Sequence, residues 1–234
     1  MASHNADLLR RALLRLPHRP CPSLLCIPGL YQQPFYSLED LPPSLSTSLS
    51  TLASQAPMLL KEYLALKSAQ PNGDYSDEGE HKLHSGGWTW HSAIQRGTWS
   101  ADFGIQAPQT TSLLGSIPGL MTGGLPWAYA FFSNMKPGSV IEPHFGPTNS
   151  RLRVHIPLTV PLGDIGLECG GERREWVVGT PLVFDDSFVH RTWNNTKDER
   201  VVLLLDVWHP SLSLEEREDV EKLFQRAKKE GWLK

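Results

Sequence analysis

Cysteine is scarce: Cys21, Cys26 and Cys169 are the only three in 234 residues, an odd number with no CxxC pair. That supports neither a disulfide framework nor a cysteine-built zinc site, and a reducing compartment is the simpler reading. No apolar run approaches the roughly 18 residues needed to span a bilayer, so a soluble protein is expected. Positive charge is not in surplus either. Lys and Arg total 22 against 25 Asp and Glu, a net charge of −3 with a pI near 6.3. Without a basic excess, nucleic acid is not expected as a partner. There is no internal repeat and no low-complexity linker, and the length suits one fairly large domain.

Proline and glycine, 19 of each, are abundant and favour a turn-rich β architecture over a helical bundle. Eight tryptophans are also many, and Trp88, Trp90, Trp99, Trp193 and Trp208 fall around the region that carries the chemistry. Residues 1–20 form a basic segment in which Asp7 is the only acid. It reads either as an organelle-targeting sequence or as a surface helix packing Leu9, Leu13 and Leu16. A cytoplasmic location is expected on the second reading, an organelle on the first.

Residues 21–234 are expected to form a single domain. Helical spacing covers 37–55, with a start near Pro42-Pro43, and 57–67, where Pro57 suits the first turn. Residues 70–80 read as an exposed loop, 88–91 as a short strand and 110–114 as one helical turn. From 126 to 208 the pattern turns to strands, at 128–135, 140–144, 151–160, 165–168, 175–178, 181–184, 189–193 and 201–208. Seven or eight short strands at this spacing, with flanking helices, predict a mainly β sandwich or barrel of jelly-roll type. Ser213-Leu214-Glu215-Glu216 is a capping box opening a last helix over 213–230, with Val220, Leu223, Phe224 and Ala227 facing inward.

The segment 151–160 alternates strictly: Arg151, Arg153, His155, Pro157 and Thr159 on one face, Leu152, Val154, Ile156, Leu158 and Val160 on the other. A row of two arginines and a histidine requires an anion nearby. His144 and His190 flank this strand, and imidazoles on neighbouring strands suit non-haem iron. The usual iron site adds a carboxylate two residues after the first histidine, but here the run is His144-Phe145-Gly146. Either there is no metal, or it rests on two histidines with water in the third place.

Blander readings apply elsewhere. His81, His84 and His91 read as solvated loop residues, Asp185-Asp186 as a turn, and Asp206 and His209 as structural. Arg200 has a surface pairing with Asp198 or Glu199 as its alternative. Asn194-Asn195-Thr196 is both a glycosylation sequon and a plain turn.

The run Pro143-His144-Phe145-Gly146-Pro147-Thr148-Asn149-Ser150-Arg151-Leu152-Arg153-Val154-His155 resembles the aspartyl/asparaginyl β-hydroxylase family, as do 184–190 and Asp206-Val207-Trp208-His209-Pro210. The resemblance runs from about Ile27 to Trp208 and implies a double-stranded β-helix, jelly-roll or cupin-like. It also implies an iron(II)- and 2-oxoglutarate-dependent dioxygenase, with O2 as the second co-substrate and two histidine ligands without a carboxylate. By matched position His144 and His190 would hold the iron. Trp88, Ser133, Arg153, Val154, His155 and Arg200 would form the 2-oxoglutarate site, and Arg151 would meet the substrate's carboxylate. Arg153 and His155 are roughly 7 Å apart along one strand face, a reach suited to one small ligand.

The implied reaction hydroxylates the β-carbon of Asp or Asn in a peptide or protein, releasing succinate and CO2. A barrel that binds an acidic small molecule or peptide without turnover is the alternative. The family's cysteine pair near the substrate channel is missing, with Thr111 near one position, so a disulfide-rich substrate is not expected. A peptide, a protein or a small amino-acid-like molecule stays open as substrate.

Overall fold

Hydrophobic alternation places the strands, and two sheets result. A computed structural model describes residues 19–74 and 84–232, so the targeting or helical reading of 1–18 and the solvated reading of His81 lie outside the described residues. In chain order the elements are β1 (Phe35–Tyr36), a 3-10 turn (Leu38–Asp40), α1 (Pro43–Ser54), α2 (Ala56–Ala69), β2 (His84–Ser85), β3 (Trp88–Gln95) and β4 (Thr98–Trp99). Then come α3 (Ala101–Gln106), α4 (Pro108–Gly115), β5 (Ala130–Met135), β6 (Ser139–His144), β7 (Arg151–Thr159) and β8 (Ile165–Cys169). The chain continues with β9 (Glu172–Arg174), β10 (Leu182–Phe184), β11 (His190–Asn194), β12 (Arg200–Trp208) and α5 (Leu214–Lys229).

One sheet has the order β1-β10-β7-β12-β5-β3-β4 and the other β2-β6-β11-β8-β9, with every named pairing antiparallel. This is a mainly β double-stranded β-helix of jelly-roll, cupin-like type with helices on one side. The alternation of β7 sets its orientation: Leu152, Val154, Ile156 and Leu158 pack with α1 and α2 in one core. The opposite face turns towards the second sheet, where Phe131, Val202, Leu204 and Phe184 meet Ile165, Leu167 and Cys169. Strand β12 is buried along all nine residues, because helices cover one face and the second sheet the other. A third apolar cluster, including Trp127, Trp208 and Phe224, seats α5 across one end.

The N-terminal strap from Cys21 to Pro34 binds two later loops. The Cys21 amide donates to Ser187 O at 2.8 Å, Ser23 to Gly146 O at 3.0 Å, and Leu24 and Leu25 to Pro147 O at 2.9 Å. Asn149 pairs with the backbone of Ile27 in both directions at 2.8 Å, and the Asp185 amide donates to Pro34 O at 3.1 Å.

Several expectations need correction. Residues 175–178 are not a strand; the strand is β9, and Trp176 drops inward from the loop after it. The 37–55 helix divides into a 3-10 turn and α1, because Pro42 and Pro43 fit only the start of a helix. Leu223 is 45% exposed rather than inward. His91 is buried on β3 with its Nε2 2.9 Å from Gln70 O, and His84 lies on β2. The Asn194 amide donates to Met135 O, Lys136 O and Asp198 O from a buried position, so this sequon serves as a turn lock rather than a glycan acceptor.

A candidate two-histidine metal site beside a buried anion cradle

A cleft opens between the sheets, with His144, His190, Arg153, His155, Ser133 and Arg200 among its walls. His144 ends β6 and His190 begins β11, and the two are direct partners across the ladder with ring centroids 4.1 Å apart. Each Nδ1 lies against the backbone carbonyl two residues earlier, Glu142 O at 2.7 Å and Phe188 O at 3.0 Å. A carbonyl only accepts, so each Nδ1 carries the proton and each Nε2 the lone pair, the form in which imidazole binds metals. Burial, and then the repulsion that a second protonated imidazole at His144 would exert, pull the His190 pKa down to about 3, so it is neutral at physiological pH.

Among the described residues, no group of three or more His, Cys, Asp or Glu is placed to hold a metal. At the position of the usual third ligand stands Gly146. A Cβ there would meet the Asp186 carboxylate at 2.6 Å.

Asp186 answers the question raised by the arginine row. Arg151 donates to the Asp186 carboxylate and, through Nη1, to Asp206 Oδ2 at 3.0 Å. Arg153 Nε reaches Asp206 Oδ1 at 2.9 Å and its Nη1 lies 3.4 Å from Asp186 Oδ2. Burial alone would raise Asp186, yet the two guanidiniums hold its carboxyl well below the usual range. The anion is therefore the protein's own.

Arg151, 2% exposed and with its Nη1 also on Trp127 O, is removed from the pocket, which corrects its expected role towards a substrate carboxylate. Arg153 keeps a side chain 16% exposed and lines the cleft. Val154 also needs correction: the alternation of β7 sends it into the helix-covered core, away from its expected place in the pocket. Asp206 and His209 are structural as expected, His209 with its Nε2 2.9 Å from Tyr31 O.

Arg200, Ser133, Trp88 and His155 meet in the same cleft. Arg200 is 1% exposed, and among the described residues its Nε and Nη1 have no hydrogen-bond partner. Burial brings its pKa down to about 9. The alternative pairing on a surface turn does not form, because Glu199 instead binds Lys67 and Asn134. His155 is buried with no partner for Nε2, while its Nδ1 accepts from Trp176 Nε1 at 3.0 Å. Burial first, then the charges of Arg200 and Arg153, hold it neutral, well below its ordinary value. Trp88 Nε1 donates to Ser133 Oγ at 2.9 Å.

Two neutral imidazoles with Nε2 lone pairs fit a divalent first-row metal. Buried donors without acceptors fit a carboxylate. The sequence reading missed Trp176, and no periodicity marks it, since it stands alone in an exposed loop. It also left Asp186 as a turn residue, although two arginines on the neighbouring strand were asking for a carboxylate.

Fold and site together define a double-stranded β-helix protein with a candidate metal site between its sheets. The chain belongs to the aspartyl/asparaginyl beta-hydroxylase family, whose pattern matches residues 53–210. It is 31% identical over 195 residues to the human aspartyl/asparaginyl beta-hydroxylase, covering 83% of this chain but 25% of that protein. To aspartate beta-hydroxylase domain-containing protein 2 of Xenopus tropicalis it is 29% identical over 218 residues, 92% of this chain and 57% of that one. The chain thus spans between a quarter and somewhat over half of these relatives. A solved prolyl-4-hydroxylase from Pseudomonas putida aligns over 67% of this chain and 87% of its own, with 16% identity and a TM-score of 0.41.

Proposed function

We propose that the protein is an iron(II)- and 2-oxoglutarate-dependent dioxygenase. It would hydroxylate a C–H bond, at the β-carbon of an aspartyl or asparaginyl side chain in a peptide or protein, with release of succinate and CO2. One observation carries this reading: two Nε2-presenting histidines share a pocket with buried donors that have no acceptor. A bare metal barrel has no use for Arg200 Nε and Nη1 and His155 Nε2 buried without hydrogen-bond partners among the described residues.

In this reading His144 and His190 hold the metal. When bound, iron(II) supplies the oxygen chemistry that couples decarboxylation of the oxoacid to hydroxylation, which side chains cannot supply. Arg200 and the His155 Nε2–H bind the far carboxylate of 2-oxoglutarate, with Ser133, held by Trp88, beside them. Arg153, whose side chain is 16% exposed and lines the same cleft, belongs to this 2-oxoglutarate site. Phe184, packed on His155 at 5.1 Å and on His190 at 5.7 Å between ring centroids, keeps water from the space between metal and carboxylate sites.

Anaerobic titration with iron(II) and 2-oxoglutarate should give the charge-transfer band of the chelate, and His190→Ala should lose it. In air, Asp- and Asn-containing peptides should raise succinate release above the uncoupled level, with a mass gain of one oxygen. No chelate band, or His190→Ala binding iron as well as the parent, would sink the assignment. A band without product on any peptide would favour a binding barrel or a smaller substrate.

A further inference from the structure

The loop from Glu175 to Thr180 is exposed at every residue except Trp176, which is 3% exposed, while its neighbours Val177 and Val178 are 60% and 51% exposed. An inward aromatic in such a loop is ordinarily an anchor. Two contacts make this one different. The indole Nε1–H donates to His155 Nδ1 at 3.0 Å, and the Arg200 guanidinium carbon lies 4.8 Å from the centre of the same indole ring. The imidazole of His155 is near-parallel to the indole, at 24°.

An indole nitrogen only donates, so the His155 nitrogen facing it must accept. A neutral imidazole has one proton, which is then on Nε2, the atom that is buried and without a hydrogen-bond partner. Had the proton sat on Nδ1, that ring would present a lone pair to an incoming carboxylate and repel it.

We propose that Trp176 is a positioning residue: its N–H fixes His155 as the Nε2–H tautomer and its face seats Arg200, so that this end of the cleft offers donors only. The consequence is selection for a ligand with a carboxylate at the far end, against an amide or alcohol of equal length. The argument rests on the 2-oxoglutarate reading only for the identity of that ligand; the control of His155 by Trp176 stands apart from it.

The test is Trp176→Phe, which keeps an aromatic plug and a ring under Arg200 but removes the N–H. Long-range 1H–15N spectra of the iron-free protein report the His155 tautomer directly, and His155→Asn identifies its signals. The parent should show Nε2–H, and Trp176→Phe should show Nδ1–H or a mixture. 2-Oxoglutarate should bind the iron-loaded variant roughly 10- to 100-fold more weakly, the worth of one hydrogen bond to a charged group. Iron(II) affinity should be unchanged, which a merely loosened loop next to the site would not guarantee. A parent with His155 protonated at Nδ1 overturns the proposal without any variant. So does a Trp176→Phe protein that keeps both the tautomer and the affinity. If the tautomer responds as expected but the parent binds no 2-oxoglutarate, the control by Trp176 is upheld and the co-substrate assignment fails.

Discussion

The carboxylate of Asp186 stands where a side chain on Gly146 would begin, its Oδ2 2.6 Å and its Oδ1 2.7 Å from the position of a Cβ. Asp186 cannot give way, because Arg151 and Arg153 hold it from the strand behind. Gly146→Ala should therefore destabilise the protein by about 1–3 kcal/mol, as overpacking of a filled site does. Gly146→Asp, which restores the usual His-x-Asp pattern, should bind iron(II) more weakly than the parent. Thermal melts and anaerobic titration decide this; tighter iron binding at parental stability would contradict it.

Among the described residues Arg200 is a buried guanidinium with no counter-charge in hydrogen-bond contact, a cost to the ligand-free fold that a bound carboxylate would offset. Arg200→Met should stabilise the ligand-free protein by about 1 kcal/mol or more, read as a higher melting temperature. On the proposed function 2-oxoglutarate should raise the melting temperature of the iron-loaded parent, and the same substitution should abolish that rise. A variant that melts lower without ligand would mean that the stacking on Trp176 outweighs the buried charge.

Asp185 is buried, its Oδ2 has no hydrogen-bond partner among the described residues, and burial pushes its pKa up to about 7. Its folded pKa lies above the unfolded one, so its contribution is fully present below about pH 4 and is lost as pH rises through about 7. Asp185→Asn keeps an oxygen for the Ser187 amide, now 2.9 Å from Oδ1, and removes the titration. It should melt above the parent at pH 8, with the advantage shrinking towards pH 4. Asp186 acts in the opposite sense and in a lower window: its depressed pKa makes it stabilising above about pH 4 and lost as pH falls through its folded value.

Glu62, on α2, accepts the Gln109 amide at 3.1 Å, the Thr110 amide at 2.8 Å and the Thr110 hydroxyl at 2.6 Å, so one helix caps the start of another. Glu62→Ala should cost about 1–3 kcal/mol by leaving buried donors unmet. Glu62→Gln should recover part of that loss, and equal melting of all three proteins would show the amides finding water instead.

Much of this was legible because it is local. The alternation of β7, the Pro43 start of α1 and the Ser213 capping box are each set by neighbours along the chain. What was not legible depends on neighbours across space. Sequence can state that Arg151 and Arg153 need an anion, but only the register of β7 against β12 and the loop before β11 identifies Asp206 and Asp186. Strands of two or three residues, such as β1, β2, β4 and β9, are too short for a period to register. His91 ends a short run of strand character whose cover cannot be read along the chain, yet it packs against Tyr63 with ring centroids 5.7 Å apart.

The strap that fastens Gly146-Pro147 and Ser187 lies more than a hundred residues upstream of both. Contacts closed over so long a span are entropically slow to form. During synthesis the strap emerges before the loops it fastens and has nothing to hold until the second histidine strand has followed it. Residues 19–36 are thus made before the loops they fasten and are among the last to settle. Until they do, both histidine loops lack their outer fastening, so the two imidazoles should reach their final placement later than the barrel collapses.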